Sequence, residues 1–344
     1  MVRSVCYDRR PALDPPCRLP EVSMVEQTQV AQGKRIQRRT GKTFHVATRL
    51  LPERIRHPTY VLYGFFRIAD EVVDAADTAP PDEQRAELDR LRRAALGEEA
   101  ADDPVLEAFA AVCEEHDIPD EDVHAFVDAM ASDIDTDRYE TYEELESYMD
   151  GSAAAVGRMM TAIMELDGEA EAKALPHATK LGEAFQMTNF IRDVREDVVE
   201  RDRVYLPLET LRRHGVSEEQ ILDLEFDGDV AAAVREELAR TERLYEEGVA
   251  GIKYLPEDCQ LAVLLAAVLY ADHHRLIRDL GYDTVSTTPE LSFARKISLL
   301  VRTRWKWQWN RDPEEVFYEM CGGFDAAREP REHGPHGPGI AQSD

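Results

Sequence analysis

The sequence predicts an all-α protein. Ala, Leu, Glu and Arg dominate most of the chain, and apolar residues recur at intervals of three and four, the period of an amphipathic helix. Runs that alternate apolar and polar residues, as strands do, are scarce. Prolines suggest where the helical segments begin or end: Pro52, Pro58, Pro80, Pro81, Pro104, Pro119, Pro176, Pro207 and Pro256.

The helical pattern predicts one domain, from residue 29 to residue 325. No Gly/Ser-rich linker and no shift in composition divides this stretch. Residues 1–28 are Pro-rich and aperiodic, and residues 326–344 are rich in Pro, Gly and His, so we expect both ends to be disordered.

The formal net charge of −28, from 69 acidic and 41 basic residues, argues against a nucleic-acid partner. Only 7 of the basic residues are Lys, and an acidic surface poor in Lys suits a protein that stays soluble at high salt. A surface built for a basic partner is the alternative.

The five cysteines lack metal-ligand spacing and fit a reducing cytosol. The longest apolar run, Leu261–Ala271, is far shorter than the ~20 residues of a membrane span, so we expect a cytoplasmic protein, at most peripheral to the membrane.

A first candidate site lies in the segment from Tyr63 to Asp74, YGFFRIADEVVD. Asp70 and Asp74 are four residues apart, so on a helix their carboxylates share one face, which Tyr63 and Arg67 extend. Two such carboxylates suit Mg²⁺, which bridges protein carboxylates to substrate phosphates. The Asp-x-x-x-Asp spacing occurs five times in this acidic chain, so the argument rests on the apolar helix that carries this pair. The pairs beginning at Asp133, Asp223 and Asp279 are predicted to lie on the surface.

A second, denser site lies in the segment from Gly182 to Asp197, GEAFQMTNFIRDVRED. Gln186, Asn189, Asp193 and Asp197 follow one another at spacings of three, four and four, which predicts a polar stripe on one face of an otherwise apolar helix. Amides and carboxylates on a buried helix need hydrogen-bond or metal partners. The alternative to a buried polar stripe is a helix face exposed to solvent. We interpret the neighbouring Arg195, Glu196 and Glu200 in this way.

The chain resembles the head-to-head prenyl synthases, which comprise phytoene, dehydrosqualene and squalene synthases. The likeness extends from about Thr43 to about Trp305 and is carried by the two acidic segments together with TFHVATRLLP from Thr43, Tyr148 with Val156-Gly157, and RVYLP from Arg203. The second acidic segment followed by RVYLP looks most like the phytoene synthase branch.

This resemblance implies an isoprenoid synthase-like helical bundle around a central cavity. It implies condensation of two geranylgeranyl diphosphates to phytoene through a cyclopropyl diphosphate, with release of two diphosphates. Mg²⁺, or Mn²⁺ as the alternative, would be held by Asp70, Asp74, Asn189, Asp193 and Asp197. By the same likeness Tyr63, Arg67, Tyr148, Gln186 and Tyr270 line the cavity, Phe44 lies near its entrance, and Arg67, Arg203 and Arg295 contact diphosphate. We expect apolar walls from residues including Phe66, Val73, Met159, Met160 and Leu181.

Several alternatives stay open at this stage. Two farnesyl diphosphates would give dehydrosqualene or, with NADPH, squalene. A non-catalytic relative would keep the fold as a lipid-binding or assembly module. Asp150 departs from the family's usual aromatic residue, which leaves the shape of one wall undecided. His273 and His274 are predicted to lie on a polar surface. The basic, Trp-rich segment from Arg295 to Trp309 either docks on anionic lipid or packs its Trp side chains on the body of the protein.

Overall fold

The computed structural model describes residues 46–74 and 79–322, and this part of the chain is helical. The α-helices are α1 (Glu53–Asp74), α2 (Pro81–Ala95), α3 (Pro104–Glu115), α4 (Asp120–Ser132), α5 (Tyr142–Met149), α6 (Ala155–Ala162), α7 (Gly168–Arg192), α8 (Val194–Arg201), α9 (Leu208–Arg213), α10 (Glu218–Leu222), α11 (Gly228–Val249), α12 (Glu257–Asp279), α13 (Phe293–Trp307) and α14 (Pro313–Met320). A π-helical turn, Asp150–Ala154, joins α5 to α6, and a 3₁₀ turn, Ile252–Tyr254, precedes α12. The all-α prediction is confirmed, whereas the predicted disordered ends lie outside the described residues.

The helix boundaries follow local chemistry. Asp103, Thr141 and Asp167 each accept a hydrogen bond from a backbone N–H of the helix that follows, which satisfies donors that lack an intrahelical partner. The boundaries predicted at Pro58 and Pro176 are wrong, because both prolines lie inside helices, α1 and α7. Each costs its helix one backbone hydrogen bond, and packing of both helices in the core outweighs that loss.

Helix α7 is the centre of the bundle. It packs against α11, α6, α12 and the π-helical turn. Two glycines allow this close approach: a Cβ on Gly182 would lie 2.5 Å from the carbonyl oxygen of Ala153, and a Cβ on Gly248 of α11 would lie 2.7 Å from the amide nitrogen of Leu181. Tyr245 of α11 is fully buried against it, with its hydroxyl 2.9 Å from Thr188 Oγ1 of α7. No helix in the described part of the chain is long and apolar enough to cross a bilayer.

Candidate active site

A cavity of about 1060 Å³ lies inside the bundle. Its walls come from α1, α4, α6, α7, α8 and α12. Ligand pockets commonly measure about 300–1,000 Å³, so this cavity is at the upper end of the usual range and suits large ligands. Phe66, Met160 and Leu181 line it as predicted. Met159 is instead fully buried in the core, and Val73 does not line the cavity, because each lies on another face of its helix.

The first acidic pair enters the cavity from the C-terminal end of α1. Asp70 and Asp74 both line the cavity, with side chains 34% and 14% exposed. Arg67, one turn before Asp70, forms an ion pair with it and lies 3.4 Å from Glu71. Tyr63 lines the same wall. The predicted stripe of α1 therefore faces the cavity.

The second acidic pair enters from the junction of α7 and α8. The single helix expected from the sequence is interrupted at Asp193, where α7 ends and α8 begins, with φ −101° and ψ 14° at that residue. The bonds Asp193 N–Asn189 O and Asp197 N–Asp193 O, both 2.8 Å long, preserve the spacing across the break. Gln186, Asn189, Asp193 and Asp197 consequently all line the cavity.

Two arginines connect the acidic helices. Arg201 Nε lies 3.0 Å from Asp74 Oδ2, and Arg201 Nη1 lies 3.3 Å from Asp197 Oδ1. Arg203 Nη1 lies 3.1 Å from Asp74 Oδ1. Only Arg203 was expected at the site. The sequence signal for Arg201 is its position one helical turn after Asp197.

Asp133 was predicted to lie on the surface, and this is wrong. Its side chain is 5% exposed and lines the cavity. The hydroxyl of Tyr148 donates to Asp133 Oδ2 at 2.9 Å, and Arg203 Nη2 donates to the Asp133 carbonyl at 2.7 Å. The Tyr148 ring stacks on the Tyr205 ring and lies tilted against the Phe190 ring. The Asp-rich sequence around Asp133 gave no hint that the end of α4 turns this one carboxylate inward.

The electrostatics of the site favour a cation. Burial, with the nearby Asp74 charge, raises the pKa of Asp70 to about 6, and burial, with the Asp193 charge, raises the pKa of Asp197 to about 8. Burial also raises the pKa of Asp133 to about 7, against the opposing effects of Arg203 and Tyr148. These upward pKa shifts mean that the positive charge around the carboxylates does not offset the cost of burying them in ionised form. Carboxylate and amide oxygens facing one another across a cavity are a donor set that fits Mg²⁺, although within the described residues no three His, Cys, Asp or Glu side chains are already clustered closely enough to hold an ion.

The remaining predicted residues differ in where they lie. Tyr270 lines the cavity and stacks on Phe185 with ring centroids 4.6 Å apart. Arg295 does not line the cavity. Its Nε and Nη2 atoms donate to Asp272 at 2.9 and 2.6 Å, and the neighbouring Lys296 lines the cavity instead. Phe44 lies outside the described residues.

The two histidines of α12 are buried, so their predicted place on a polar surface is wrong. His274 is fully buried, with Nε2 3.0 Å from Thr188 Oγ1 and Nδ1 3.3 Å from Glu242 Oε1. His273 lines the cavity, and burial together with the Arg192 charge lowers its pKa to about 3, so it is neutral at physiological pH. Helix α12 packs against α7, α11, α13 and α14, which leaves it little exposed face for polar residues.

The unusual Asp150 does not shape the cavity wall. It begins the π-helical turn with a side chain 58% exposed, and it accepts a hydrogen bond from Arg158 Nη1 at 2.9 Å. Ser152, Ala153 and Val156 form the wall in this region.

The fold and the site together define a class of enzyme. A helical bundle surrounds a largely apolar cavity, and acidic side chains from two helices and arginines gather at one end. This arrangement suits substrates with a long apolar chain and a diphosphate head, which are the substrates of isoprenoid synthases.

Comparison with known proteins agrees with this class. The family model for squalene/phytoene synthase matches residues 37–305. The chain is 34% identical to the phytoene synthase of Rhodobacter capsulatus over 270 residues, 77% of this chain and 78% of that protein. It is 34% identical to the phytoene synthase of Thermus thermophilus over 266 residues, 77% of this chain and 89% of that protein. The crystal structure of a dehydrosqualene synthase superposes with a TM-score of 0.74 at 28% identity, covering 83% of this chain and 98% of that one.

The chain therefore belongs to the squalene/phytoene synthase family, and it is a prenyltransferase.

Proposed function

We propose that this protein condenses two geranylgeranyl diphosphates head to head to form phytoene, the first C40 hydrocarbon of carotenoid biosynthesis. The similarity to phytoene synthases over three quarters of the chain favours this substrate over farnesyl diphosphate. The observation that carries the chemistry is the opposition of Asp70 and Asp74 to Asp193 and Asp197 at one end of an apolar cavity.

The chain's own residues would bind and orient the substrates. Arg67, Arg201 and Arg203 would contact the diphosphates, since guanidinium groups bind phosphate oxygens in pairs of hydrogen bonds. The apolar walls would hold both prenyl chains and exclude water from the allylic cation that forms when the first diphosphate leaves. Tyr63, Tyr148 and Tyr270 line the cavity, and an aromatic ring that meets that cation would stabilise it by about 0.5–2 kcal/mol.

Asp70, Asp74, Asn189, Asp193 and Asp197 would hold the metal, for which we propose Mg²⁺ with Mn²⁺ as an alternative. When bound, the ions supply Lewis-acid stabilisation of the leaving diphosphate. The first condensation would release one diphosphate and one proton and give a cyclopropyl diphosphate. Loss of its diphosphate and of a second proton would give the hydrocarbon. We name no side chain as the base, because the departing diphosphates can take both protons.

The test is a product assay. Purified protein with Mg²⁺ and geranylgeranyl diphosphate should release two diphosphates for each C40 hydrocarbon formed, and chelation of Mg²⁺ should stop the reaction. Farnesyl diphosphate, supplied in parallel with and without NADPH, is the matched control. Efficient C30 formation with no C40 product would assign the chain to the dehydrosqualene or squalene branch. Failure with both substrates would favour the non-catalytic alternative.

Adaptation to high salt is a further part of the proposal. It rests on the net charge of −28 and on the low Lys content. Molar salt screens the repulsion among 69 acidic groups, since the Debye length falls to about 3 Å at 1 M. The product assay should therefore give higher activity in molar salt than in dilute buffer.

A further inference from the structure

The outward face of α13 is apolar. Leu299, Thr303 and Trp307 are buried at four-residue intervals and attach the helix to the bundle. The opposite side of the helix carries four apolar residues at the same interval, and Trp309 follows them just after the helix ends. We call these five residues the outer α13 face: Phe293, Ile297, Val301, Trp305 and Trp309. These side chains are 40–79% exposed and make up five of the seven exposed large hydrophobic residues in the described chain. A contiguous apolar patch of this kind marks an interaction surface.

The segment that carries the outer α13 face is basic. Residues 291–311 contain six Arg or Lys residues and no Asp or Glu, in a chain of net charge −28. Arg302 and Arg304 are exposed, and neither forms an ion pair with another described residue. Unpaired cations beside exposed Trp and aliphatic side chains are typical of surfaces that bind anionic lipid.

The outer α13 face is also continuous with the cavity. Phe293 is 77% exposed on the surface and at the same time lines the cavity, as does Lys296 one helical turn further along. An apolar partner seated on the face would therefore touch the rim of the cavity. That position suits a partner with long apolar chains of its own.

Charge separates the possible occupants of this face. In a symmetric contact with a second copy, the six basic residues of one chain would meet the same six of the other. Residues 1–45 carry nine basic and four acidic groups, so this segment would also be repelled. Residues 323–344 carry two basic and four acidic groups, a weak complement to six positive charges. A surface of negative lipid headgroups matches both the charge and the apolar side chains.

We propose that the outer α13 face docks on a bilayer that contains anionic phospholipid. Trp305 and Trp309 insert at the level of the headgroups, where aromatic residues are favoured. Arg302 and Arg304 contact lipid phosphates.

The test is vesicle binding by the full chain, without Mg²⁺ or prenyl substrate, so its outcome does not depend on the proposed reaction. The chain should co-sediment with vesicles of phosphatidylcholine and phosphatidylglycerol and much less with phosphatidylcholine alone. The three Trp residues of the chain are Trp305, Trp307 and Trp309, so Trp emission reports on this segment alone. Vesicles that contain phosphatidylglycerol with brominated acyl chains should quench this Trp emission, because bromine quenches only Trp rings that lie close to the acyl chains.

Matched variants locate the contact. Val301→Ser should weaken vesicle binding several-fold. Val199→Ser should not, because Val199 lies on α8, outside this face; the two valines are matched in exposure, at 59% and 62%. Arg302→Gln with Arg304→Gln should weaken binding about 25-fold in dilute salt, about fivefold for each charge. Arg235→Gln with Arg243→Gln, which removes two exposed charges of α11, should leave binding within about twofold. Circular dichroism checks that each variant is folded.

Three results would overturn the proposal. The first is failure of the full chain to bind the anionic vesicles, which includes the case in which residues 323–344 cover the face. The second is binding that the α13 variants and their controls weaken equally. The third is a solution mass of twice 39.0 kDa that Trp305→Ser halves, since the face would then be an interface between copies.

Discussion

The Nε atom of Arg201 donates a hydrogen bond to Oδ2 of Asp74 at 3.0 Å, although the two residues are 127 positions apart in sequence. The same guanidinium reaches Asp197, so one side chain joins the two acidic helices across the cavity. With Arg203 it partly neutralises carboxylates that burial would otherwise leave unbalanced. A diphosphate with its metal ions could replace this pairing, which would free both arginines to contact phosphate oxygens.

Replacement of Arg201 tests this role. We expect Arg201→Gln to raise the KM for prenyl diphosphate about 10- to 100-fold, because hydrogen bonds to charged groups contribute about 1.5–3 kcal/mol each. Steady-state kinetics measure the effect, and Arg235→Gln on the exposed side of α11 is the control. A variant with an unchanged KM and a lower melting temperature would show that Arg201 only holds the helices together.

Replacement of Asp197 should separate activity from stability. Asp197→Asn is expected to lower kcat about 10²- to 10⁴-fold, because it removes a proposed metal ligand that would help to stabilise the leaving diphosphate. In the absence of metal and at a pH above about 8, where Asp197 is ionised, the same change should leave the melting temperature equal or higher, because it removes a buried charge repelled by Asp193. Asp223→Asn, at an exposed carboxylate, is the control for both measurements. Near-normal turnover by Asp197→Asn would exclude Asp197 from the metal site.

The buried Asp133 predicts a pH dependence of stability. Its pKa is about 7 in the folded protein and about 4 in an unfolded chain, so between these values the folded state holds the additional proton. The free energy of unfolding of the metal-free protein should therefore fall as the pH rises from about 4 to about 7, by up to ~1.4 kcal/mol per pH unit from this residue. Asp133→Asn should remove that share of the slope in denaturant titrations. Asp128→Asn, at an exposed position of the same helix, should not, and equal slopes in both variants would contradict the assignment.

The far end of the cavity should set the length of the prenyl chain. Ala262 lines the cavity on α12, eight residues before Tyr270, which at a rise of 1.5 Å per residue is about 12 Å away from it along the helix. We expect Ala262→Phe to lower kcat/KM for both substrates unequally, with a loss for geranylgeranyl diphosphate about tenfold or more greater than the loss for farnesyl diphosphate. The reason is that the larger side chain fills the end of the cavity and rejects the longer prenyl chain at a cost of about 1–3 kcal/mol. Ala262→Val, a smaller increase in volume, is the graded control. Equal losses for both substrates would mean that chain length is decided elsewhere.

The helical class and the main elements of the site follow from the order of the residues along the chain. The three- and four-residue period of the apolar residues specifies helices because neighbouring turns must bury one face together. The same period brought Asp70 and Asp74 onto one face, and Gln186, Asn189, Asp193 and Asp197 onto another. These are local relationships, and the break at Asp193 did not disturb them because its backbone hydrogen bonds continue through it.

Which of the many similar charges belong to the cavity depends on how the helices pack together. Asp133 and Asp150 both occur in acidic surroundings, yet Asp133 lines the cavity and Asp150 pairs with Arg158 outside it. The same holds for Arg201 and Arg295: the first reaches Asp74 from another helix, and the second is held by Asp272. Such pairings depend on how helices distant in sequence pack. The sequence spacing of a residue specifies its own helix face, and only the packing specifies what that face meets.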